Sequence, residues 1–293
     1  MSIFERIIIK LLNHLPFRSQ LLSLFKNVGI VNDSMFPLIP YRGEFDVAID
    51  GGHFKLHSTG KETLENELYW RGVNGIKEKL SLKLWVELAK FSNVIIDIGA
   101  NTGLYGLAAY SVNSNSKVYS FEPQNIAFDK LDKNVKLNGY DGVSPQKRAI
   151  SNTDGTATFF DIDADHFYSA SLNSAAIPEN RTQITYEVKT NRLDNYIREI
   201  GVESVDLIKI DAEFHEVEVL EGMQEILHRD MPTLLLEVIT DEMADKLNPI
   251  FDSTNYLIFN LSDEPRRVSK IEKADAWNLL LCNEDVAKKL NLI

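Results

Sequence analysis

Residues 94–110 read VIIDIGANTGLYGLAAY and contain two apolar runs that are separated by a glycine turn. The first run, which Asp97 interrupts, has the length and composition of a buried strand, and the second run has those of a helix. In α/β folds, the turn between such a strand and the helix after it lies where the fold binds a ligand. The stretch therefore predicts an α/β fold with a ligand site at this turn.

Strand and helix patterns alternate from residue 94 to the end of the chain. Strands are predicted at NVIID, KVYSF, YEVKT, VDLIK, PTLLLEV, NYLIFNL and WNLLLCN, the last two as a terminal pair, with a further turn at residues 152–155. Helical patterns separate most of these strands, and Gly139 is the predicted C-cap of the helix NIAFDKLDKNVKLN. The alternation predicts an α/β fold with a mostly parallel sheet and helices on both of its faces.

The part of the chain before residue 86 has a different pattern, and we predict that residues 1–85 form an amino-terminal extension of the domain 86–293. The extension is predicted to hold an amphipathic helix, a hairpin and a helix. Residues 45–57 alternate between apolar and polar side chains around a turn at Asp50, Gly51 and Gly52, which predicts the hairpin. Residues 61–90 are predicted to be helical with a break near Gly72 and Gly75.

Residues 3–26 combine helically spaced apolar side chains with a local excess of basic ones. The apolar positions are Ile3, Phe4, Ile7, Ile8, Leu11, Leu12 and Leu15. Arg6, Lys10, Arg18 and Lys26 outnumber the single acid, Glu5. Two interpretations remain open: a helix that packs on the domain or on a second copy in a homo-oligomer, and a helix that lies on a membrane surface.

Composition and charge exclude several other classes of protein. The net charge of −12 and the absence of a basic stripe argue against nucleic acid as a substrate. We find no bilayer-spanning stretch and no secretory signal in the sequence. Cys282 is the single cysteine, so no disulfide forms within the chain, and a reducing, cytoplasmic location is predicted, with membrane association left open.

The glycine turn favours S-adenosylmethionine over a dinucleotide. Asp97, Gly99, Ala100, Asn101 and Gly103 lie at the carboxyl end of the predicted strand. The turn lacks the middle glycine of a dinucleotide site, and a carboxylate beside a pyrophosphate would be repelled. The same carboxylate suits the amine of S-adenosylmethionine, and the helix N-terminus suits its carboxylate.

A second carboxylate supports an adenosyl cofactor. Glu122 ends the next predicted strand about 20 residues after the glycine turn, where an acid accepts hydrogen bonds from ribose hydroxyls. Pro123 is predicted to begin the following helix, where its missing N–H costs little.

These stretches together resemble the FkbM family of S-adenosylmethionine-dependent methyltransferases. The resemblance covers residues 94–238 and rests on VIIDIGANTGLYGLAAY, VYSFEPQ, NVKLNG, RAISNTDGTATFF, VKTNRLDNYI, VDLIKIDAEFHEVEVLEGM and PTLLLEV. It implies the class I (Rossmann-like) seven-stranded fold with an antiparallel last strand, and methyl transfer to hydroxyl oxygens of sugars or other metabolites. It also implies that Asp97, Gly99, Asn101, Gly103, Tyr105 and Glu122 line the cofactor, with the backbone near Ala149 and Ile150 beside the adenine.

One departure concerns the acceptor side of the site. The family pattern has a glycine after K-I-D-x-E, whereas this chain reads KIDAEFH with Phe214 at that position. The bulky side chain is expected to narrow or reshape the acceptor side.

The same segment supplies the candidate catalytic residues. Lys209, Asp211, Glu213 and His215 follow the strand that ends nearest the expected methyl group. A hydroxyl acceptor needs a base, and we predict that Asp211 pairs with His215 and orients it for this role. Asp211, Glu213 and Glu237 also leave a divalent metal open, although none is predicted.

The predicted function is O-methyl transfer to a sugar, glycan or related small metabolite. One alternative is a methyltransferase-like binding module without catalysis, and another is an NAD-dependent oxidoreductase, against which the missing glycine argues.

Overall fold

The computed structural model of the chain describes residues 8–10, 12, 18–27, 31–162, 170–174, 182–252 and 254–293. Helix α1 spans Arg18–Asn27. Five described apolar side chains of the predicted segment 3–26 are buried in the hydrophobic core or packed against that core: Ile8, Ile9, Leu12, Leu22 and Phe25. Leu24 of the same helix is exposed. The five core side chains therefore contact protein. Residues 3–7, 11 and 13–17 of the predicted segment lie outside the described residues.

A hairpin and two helices precede the central sheet. Strands β1 (Gly43–Ile49) and β2 (Gly52–Ser58) pair antiparallel, as the sequence predicts. Helix α2 spans Thr63–Arg71, and Gly72 is its C-cap. A 3-10 turn over Val73–Gly75 then leads to α3 (Lys79–Ala89), which confirms the predicted break. The predicted domain boundary at residue 85 falls within α3, so the division into two units stays a prediction.

The first half of the domain alternates between strands and helices. The elements are β3 (Val94–Ile98), α4 (Leu104–Val112), β4 (Lys117–Phe121), α5 (Asn125–Asn138) and β5 (Val143–Gln146). A small second sheet follows, formed by β6 (Ala149–Ile150), β7 (Gly155–Ile162) and β8 (Gln183–Asn191). Strands β6 and β7 flank the predicted turn at residues 152–155, but each pairs with β8 rather than with the other.

The second half of the domain completes the central sheet. Its elements are α6 (Leu193–Glu199), β9 (Leu207–Ile210), α7 (Glu216–Glu221), α8 (Gln224–Arg229), β10 (Thr233–Glu237), α9 (Asp241–Phe251), β11 (Leu257–Leu261), β12 (Pro265–Val268), β13 (Asn278–Cys282) and α10 (Glu284–Lys289). The terminal pair β11 and β13 was predicted. None of the helices in the described ranges has the length and apolar character needed to cross a bilayer.

The central sheet has the strand order β12-β11-β13-β10-β9-β3-β4-β5. The strands from β10 to β5 are parallel, and β13 runs antiparallel to both of its neighbours. This is the class I methyltransferase arrangement with the predicted antiparallel last strand. The described part of the sheet has eight strands instead of seven, because β12 turns back after β11 and pairs with it at the edge, where Pro265 is tolerated.

Helices cover both faces of this sheet. Alternate residues of a strand point to opposite faces, so Ile95 belongs to one core and Ile96 to the other. The first core contains the hairpin and α3–α5, and the second contains α6–α9. The strands are therefore buried on both faces, as the predicted α/β fold requires.

Asn134 of α5 links the hairpin to the glycine turn. This fully buried side chain accepts a hydrogen bond from the amide of His57 in β2, at 2.9 Å. Its amide group donates to the carbonyl of Thr102, at 2.8 Å. One side chain thus holds β2 and the turn after β3 in a fixed relation.

Candidate active site

A cleft lies at the carboxyl ends of β3, β4 and β9. Of the residues predicted for the site, those that line the cleft are Gly99, Asn101, Glu122, Pro123, Ala149, Ile150, Asp211, Glu213 and His215. Those that lie outside its lining are Asp97, Ala100, Gly103, Tyr105 and Lys209. The structure thus brings most of the predicted residues to one cleft, while their individual roles stay predictions.

Gly99 forms the closest approach of the glycine turn to the rest of the site. Its φ is +75°, and a Cβ at this position would lie 1.7 Å from the carbonyl oxygen of Asp211. The amides of Gly99 and Ala100 both donate to the carbonyl of Phe121 at the end of β4, at 3.0 Å. Only glycine fits here, because the turn is packed directly against the backbone that follows β9.

Glu122 ties the glycine turn to the end of β4. Its two carboxylate oxygens accept hydrogen bonds from the amides of Asn101 and Gln124, each at 2.8 Å. Burial raises the pKa of Glu122 to about 7, against the effect of these two bonds. The carboxyl group is therefore fixed in the cleft wall, and its remaining lone pairs can accept further hydrogen bonds.

The bond from Gln124 also corrects the prediction for Pro123. Helix α5 begins at Asn125 rather than at the proline, and Gln124 is its N-cap. Because Glu122 accepts the amide of Gln124, the chain makes a short turn through Pro123 before the helix starts.

Asp97 lies beneath the cleft and is fully buried. Its Oδ2 accepts a hydrogen bond from the amide of Gly106 at 3.0 Å, and its Oδ1 has no partner among the described residues. Burial raises the pKa of Asp97 to about 6, and the nearby ammonium group of Lys209 opposes this rise. A buried carboxylate oxygen that accepts no hydrogen bond lowers the stability of the folded protein. A cationic donor that reached Oδ1 of Asp97 would therefore form a favourable interaction with it.

Lys209 and Tyr105 form a buried network under Asp211. The Nζ of Lys209 lies 2.7 Å from Oδ2 of Asp211 and 4.8 Å from the centre of the Tyr105 ring. The Tyr105 hydroxyl donates to Glu78 at 2.5 Å. Burial lowers the pKa of Lys209, but the carboxylates of Asp211, Asp97 and Glu78 outweigh burial and keep this pKa above its usual value. Lys209 therefore stays charged and fixes Asp211.

The predicted pairing of Asp211 with His215 is wrong. Asp211 pairs with Lys209, whereas the His215 ring contacts Ser151 Oγ at 3.0 Å and Glu218 Oε2 at 3.5 Å. The prediction assumed either an extended or a helical chain from residue 211 to 215. Instead, Glu213 and Phe214 have φ values of 51° and 71°, and α7 begins only at Glu216.

Glu213 and His215 both face the cleft with pKa values shifted by burial. Burial, reinforced by Asp211 and opposed by Lys209, raises the pKa of Glu213 to about 7. Burial lowers the pKa of His215, against the carboxylates of Glu218 and Glu221, so its imidazole is neutral near neutral pH. Both groups can therefore accept a proton near neutrality.

Comparison with known families identifies this arrangement. The profile of the methyltransferase FkbM domain matches residues 97–260, which is more than half of the chain. The chain belongs to the FkbM methyltransferase family. This FkbM domain contains the glycine turn, Glu122 and the segment after β9, and its cofactor is S-adenosylmethionine.

Curated relatives of this FkbM protein are less than 30% identical to it in sequence over the aligned residues. Methyltransferase sdnD of Sordaria araneosa is 29% identical over 161 residues, covering 45% of this chain and 60% of sdnD. Hexuronic acid methyltransferase AglP of Haloferax volcanii is 28% identical, covering 55% of this chain and 62% of AglP. The 2-O-methyltransferase NoeI of Sinorhizobium fredii is 27% identical, covering 48% of this chain and 61% of NoeI. The chain thus spans about 60% of the length of these relatives.

The cleft fits the cofactor of the FkbM family. Glu122 presents a fixed acceptor to hydroxyl groups in the cleft, and the unpartnered Oδ1 of Asp97 lies beneath the cleft, outside its lining. Among the described residues, no group of three or more His, Cys, Asp or Glu side chains has the geometry to hold a metal ion.

Three polar residues that line the cleft were not among the predicted site residues: Gln124, Arg148 and Ser171. The Nε2 of Gln124 donates to both carboxylate oxygens of Asp161, at 3.0 Å each. Arg148 donates to Asn191 at 3.1 Å. Gln124 and Arg148 adjoin predicted site residues in sequence, which is a signal that could have found them. Ser171 lies outside the quoted motifs and is held at the cleft by contacts with Phe160 and with the carbonyl of Glu213.

Proposed function

We propose that this protein is an S-adenosylmethionine-dependent O-methyltransferase that acts on a hydroxyl group of a sugar, glycan or related small metabolite. The observation that carries the proposal is the shared cleft. Gly99, Asn101 and Glu122, which we term the cofactor wall, line the same cleft as Asp211, Glu213 and His215, which we term the acceptor wall. A cofactor site thereby adjoins groups that can accept a proton.

The cofactor wall is assigned as follows. Glu122 would accept hydrogen bonds from the ribose hydroxyls, and the backbone at Ala149 and Ile150 would border the adenine. Asp97 would bind the amine, and the turn at Gly99 and Asn101 would border the amino-acid part. When bound, S-adenosylmethionine supplies a methyl group that is already activated on a sulfonium centre. The chain's own residues then have to orient the acceptor and take up its proton.

The acceptor wall supports a hydroxyl compound. A hydroxyl is a poor nucleophile until its proton is removed, and a positioned base contributes roughly 10²–10⁴-fold to the rate. Glu213 and His215 are the groups whose pKa directions suit this task. Asp211, which Lys209 holds, is placed to accept a hydrogen bond from another acceptor hydroxyl.

The names of two relatives support the substrate class. AglP is a hexuronic acid methyltransferase and NoeI a 2-O-methyltransferase.

Isothermal titration and a turnover assay test the proposal. The protein should bind S-adenosylmethionine and not NADH. It should methylate at least one member of a panel of neutral sugars, hexuronic acids and small alcohols, detected by mass spectrometry. Binding without turnover on any acceptor would support the alternative of a non-catalytic binding module. Absence of S-adenosylmethionine binding would overturn the assignment of the cleft.

A further inference from the structure

The turn between β9 and α7 contains two consecutive left-handed residues, neither of which is glycine. Glu213 has φ 51° and Phe214 has φ 71°. Residues with side chains avoid this region, and such strain persists only where the surroundings enforce it. The turn therefore depends on contacts from outside its own segment.

Those contacts come from residues 170–174, which we term the strap. Ser171 Oγ donates to the carbonyl of Glu213 at 2.5 Å, and Asn173 Nδ2 donates to the carbonyl of Phe214 at 3.0 Å. Ser171 is itself buried and forms two backbone hydrogen bonds with Phe160 of β7, at 2.8 and 2.9 Å. The strap thus holds the turn against a fixed strand of the small sheet.

The strap and the turn also line the same cleft. Ala170, Ser171 and Leu172 face it beside Asp211 and Glu213. Because Glu213 lies within the strained turn, the two carbonyl contacts determine where its carboxyl group lies. Released from them, the turn could relax to right-handed φ values, and Glu213 would leave the cleft.

We propose that Ser171 and Asn173 are positioning residues that hold the Glu213–Phe214 turn, so that the Glu213 carboxyl group faces the acceptor and receives its proton. This inference rests on the proposed methyl transfer. In that step the acceptor oxygen forms a bond to the methyl carbon, the carbon–sulfur bond breaks, and the hydroxyl proton passes to Glu213.

The charges around Glu213 make its position measurable. Asp211, Glu216 and Glu237 are the acids that interact with it, and Lys209 is the base. Burial and Asp211 raise the pKa of Glu213 to about 7. A carboxyl group that swings into solvent would instead titrate near the ordinary value of about 4.3.

The test compares Ser171→Ala and Asn173→Ala with Ser116→Ala. Ser116 is a matched control, because its buried hydroxyl also donates to a backbone carbonyl, that of Asn113 at 2.8 Å. Ser116 directly precedes β4 and so lies at the amino ends of the parallel strands, away from the cleft at their carboxyl ends. Turnover is measured on the sugar that the acceptor panel identifies, at saturating cofactor. Glu213 is titrated by carbon-13 NMR of labelled glutamate, with Glu213→Gln identifying its signal.

We expect Ser171→Ala to lower kcat on the order of 10²-fold, as a displaced catalytic group does, and to move the Glu213 titration to lower pH. Ser116→Ala should change neither. Adding Phe214→Gly to Ser171→Ala should restore much of both properties, because glycine adopts the left-handed turn without strain, whereas Phe214→Ala should not.

An unchanged Glu213 titration in Ser171→Ala would overturn the inference, as would equal behaviour of the glycine and alanine double variants. The titration requires no acceptor. A parent protein that turns over no acceptor would therefore count against the proposed function, while the NMR comparison would still decide the role of the strap.

Discussion

Phe214 occupies a backbone conformation that favours glycine, and its side chain packs against the second core. Replacing it removes this packing, so the informative comparison is between two small residues. We expect Phe214→Gly to be more stable than Phe214→Ala by about 1 kcal/mol, because alanine keeps the cost of the left-handed φ. Urea unfolding measures the difference. The reverse order, which is normal at helical positions, would show that the turn is not left-handed in solution.

Glu122 and Asp97 offer a second prediction for single residues. The two carboxylate oxygens of Glu122 each accept a hydrogen bond from a backbone amide, and Glu122→Gln leaves only one oxygen to do so. Asp97→Asn removes the negative charge that is expected to lie beside the cofactor amine. Each change removes hydrogen bonds to a charged group, worth roughly 1.5–3 kcal/mol. The Kd for S-adenosylmethionine should rise about tenfold or more, measured by titration calorimetry. Parental affinity in both variants would remove both residues from the cofactor site.

The sequence allowed Glu122 to be placed in the site because a strand end has a fixed position at the sheet edge. It did not allow the partners of Asp211 and His215 to be predicted. Their separation depends on the φ values of Glu213 and Phe214, which Ser171 and Asn173 influence from some 40 residues earlier in the chain. Periodicity describes regular elements well, but it carries no information on contacts between two irregular segments.

At the scale of elements, the packing of the glycine turn against the chain after β9 predicts a steep cost for any side chain at Gly99. In Gly99→Ala the new Cβ would meet the Asp211 carbonyl at 1.7 Å, so the ends of β3 and β9 have to separate. We expect a loss of more than about 3 kcal/mol in the free energy of unfolding.

The control for Gly99→Ala is Gly139→Ala. Gly139 also has a positive φ, of +63°, but nothing lies within 4 Å of its added Cβ. Its cost should be only that of the backbone conformation, about 1 kcal/mol. Similar losses in the two variants, measured by urea unfolding, would contradict the tight contact at Gly99.

Four of the five parallel strands of the central sheet, β3, β4, β9 and β10, were predicted from the sequence, because buried strands and helices repeat with clear patterns. The edge strand β12 was not predicted, because its sequence PRRV has no apolar alternation. It pairs with β11 because the chain reverses direction after β11. The start of α7 at Glu216 was missed for the same reason as the Asp211 partner: the strained turn delays the helix.

For the whole molecule, buried acids predict how stability depends on pH. Burial raises the pKa of Glu216 to about 8, above its value in an unfolded chain. The folded state then binds this proton where the unfolded state has lost it. The contribution to stability is therefore full below about pH 4.3 and is lost as the pH rises to about 8. Glu216→Gln should flatten this decline, which is at most about 1.4 kcal/mol per pH unit for one proton. Equal slopes for parent and variant in urea unfolding at several pH values would refute it.

The amino-terminal segment gives a further prediction at this scale. Leu12 and Leu22 are buried in the core, so deletion of residues 1–26 should expose apolar surface and lower Tm by several degrees. Cofactor affinity should change little, because none of the described residues of this segment lines the cleft. Thermal unfolding, sedimentation and liposome flotation distinguish packing on the domain, self-association and membrane binding. An unchanged Tm, mass and lipid binding would contradict all three.

The bridge formed by Asn134 has a consequence for exchange with solvent. The amide of His57 can exchange its hydrogen only when its bond to Asn134 opens, and the same side chain holds the carbonyl of Thr102 in the glycine turn. Any ligand that steadies the turn also steadies this bond, by the reciprocity of linked equilibria. The exchange rate of the His57 amide should therefore fall when a ligand occupies the cleft, although His57 does not line it.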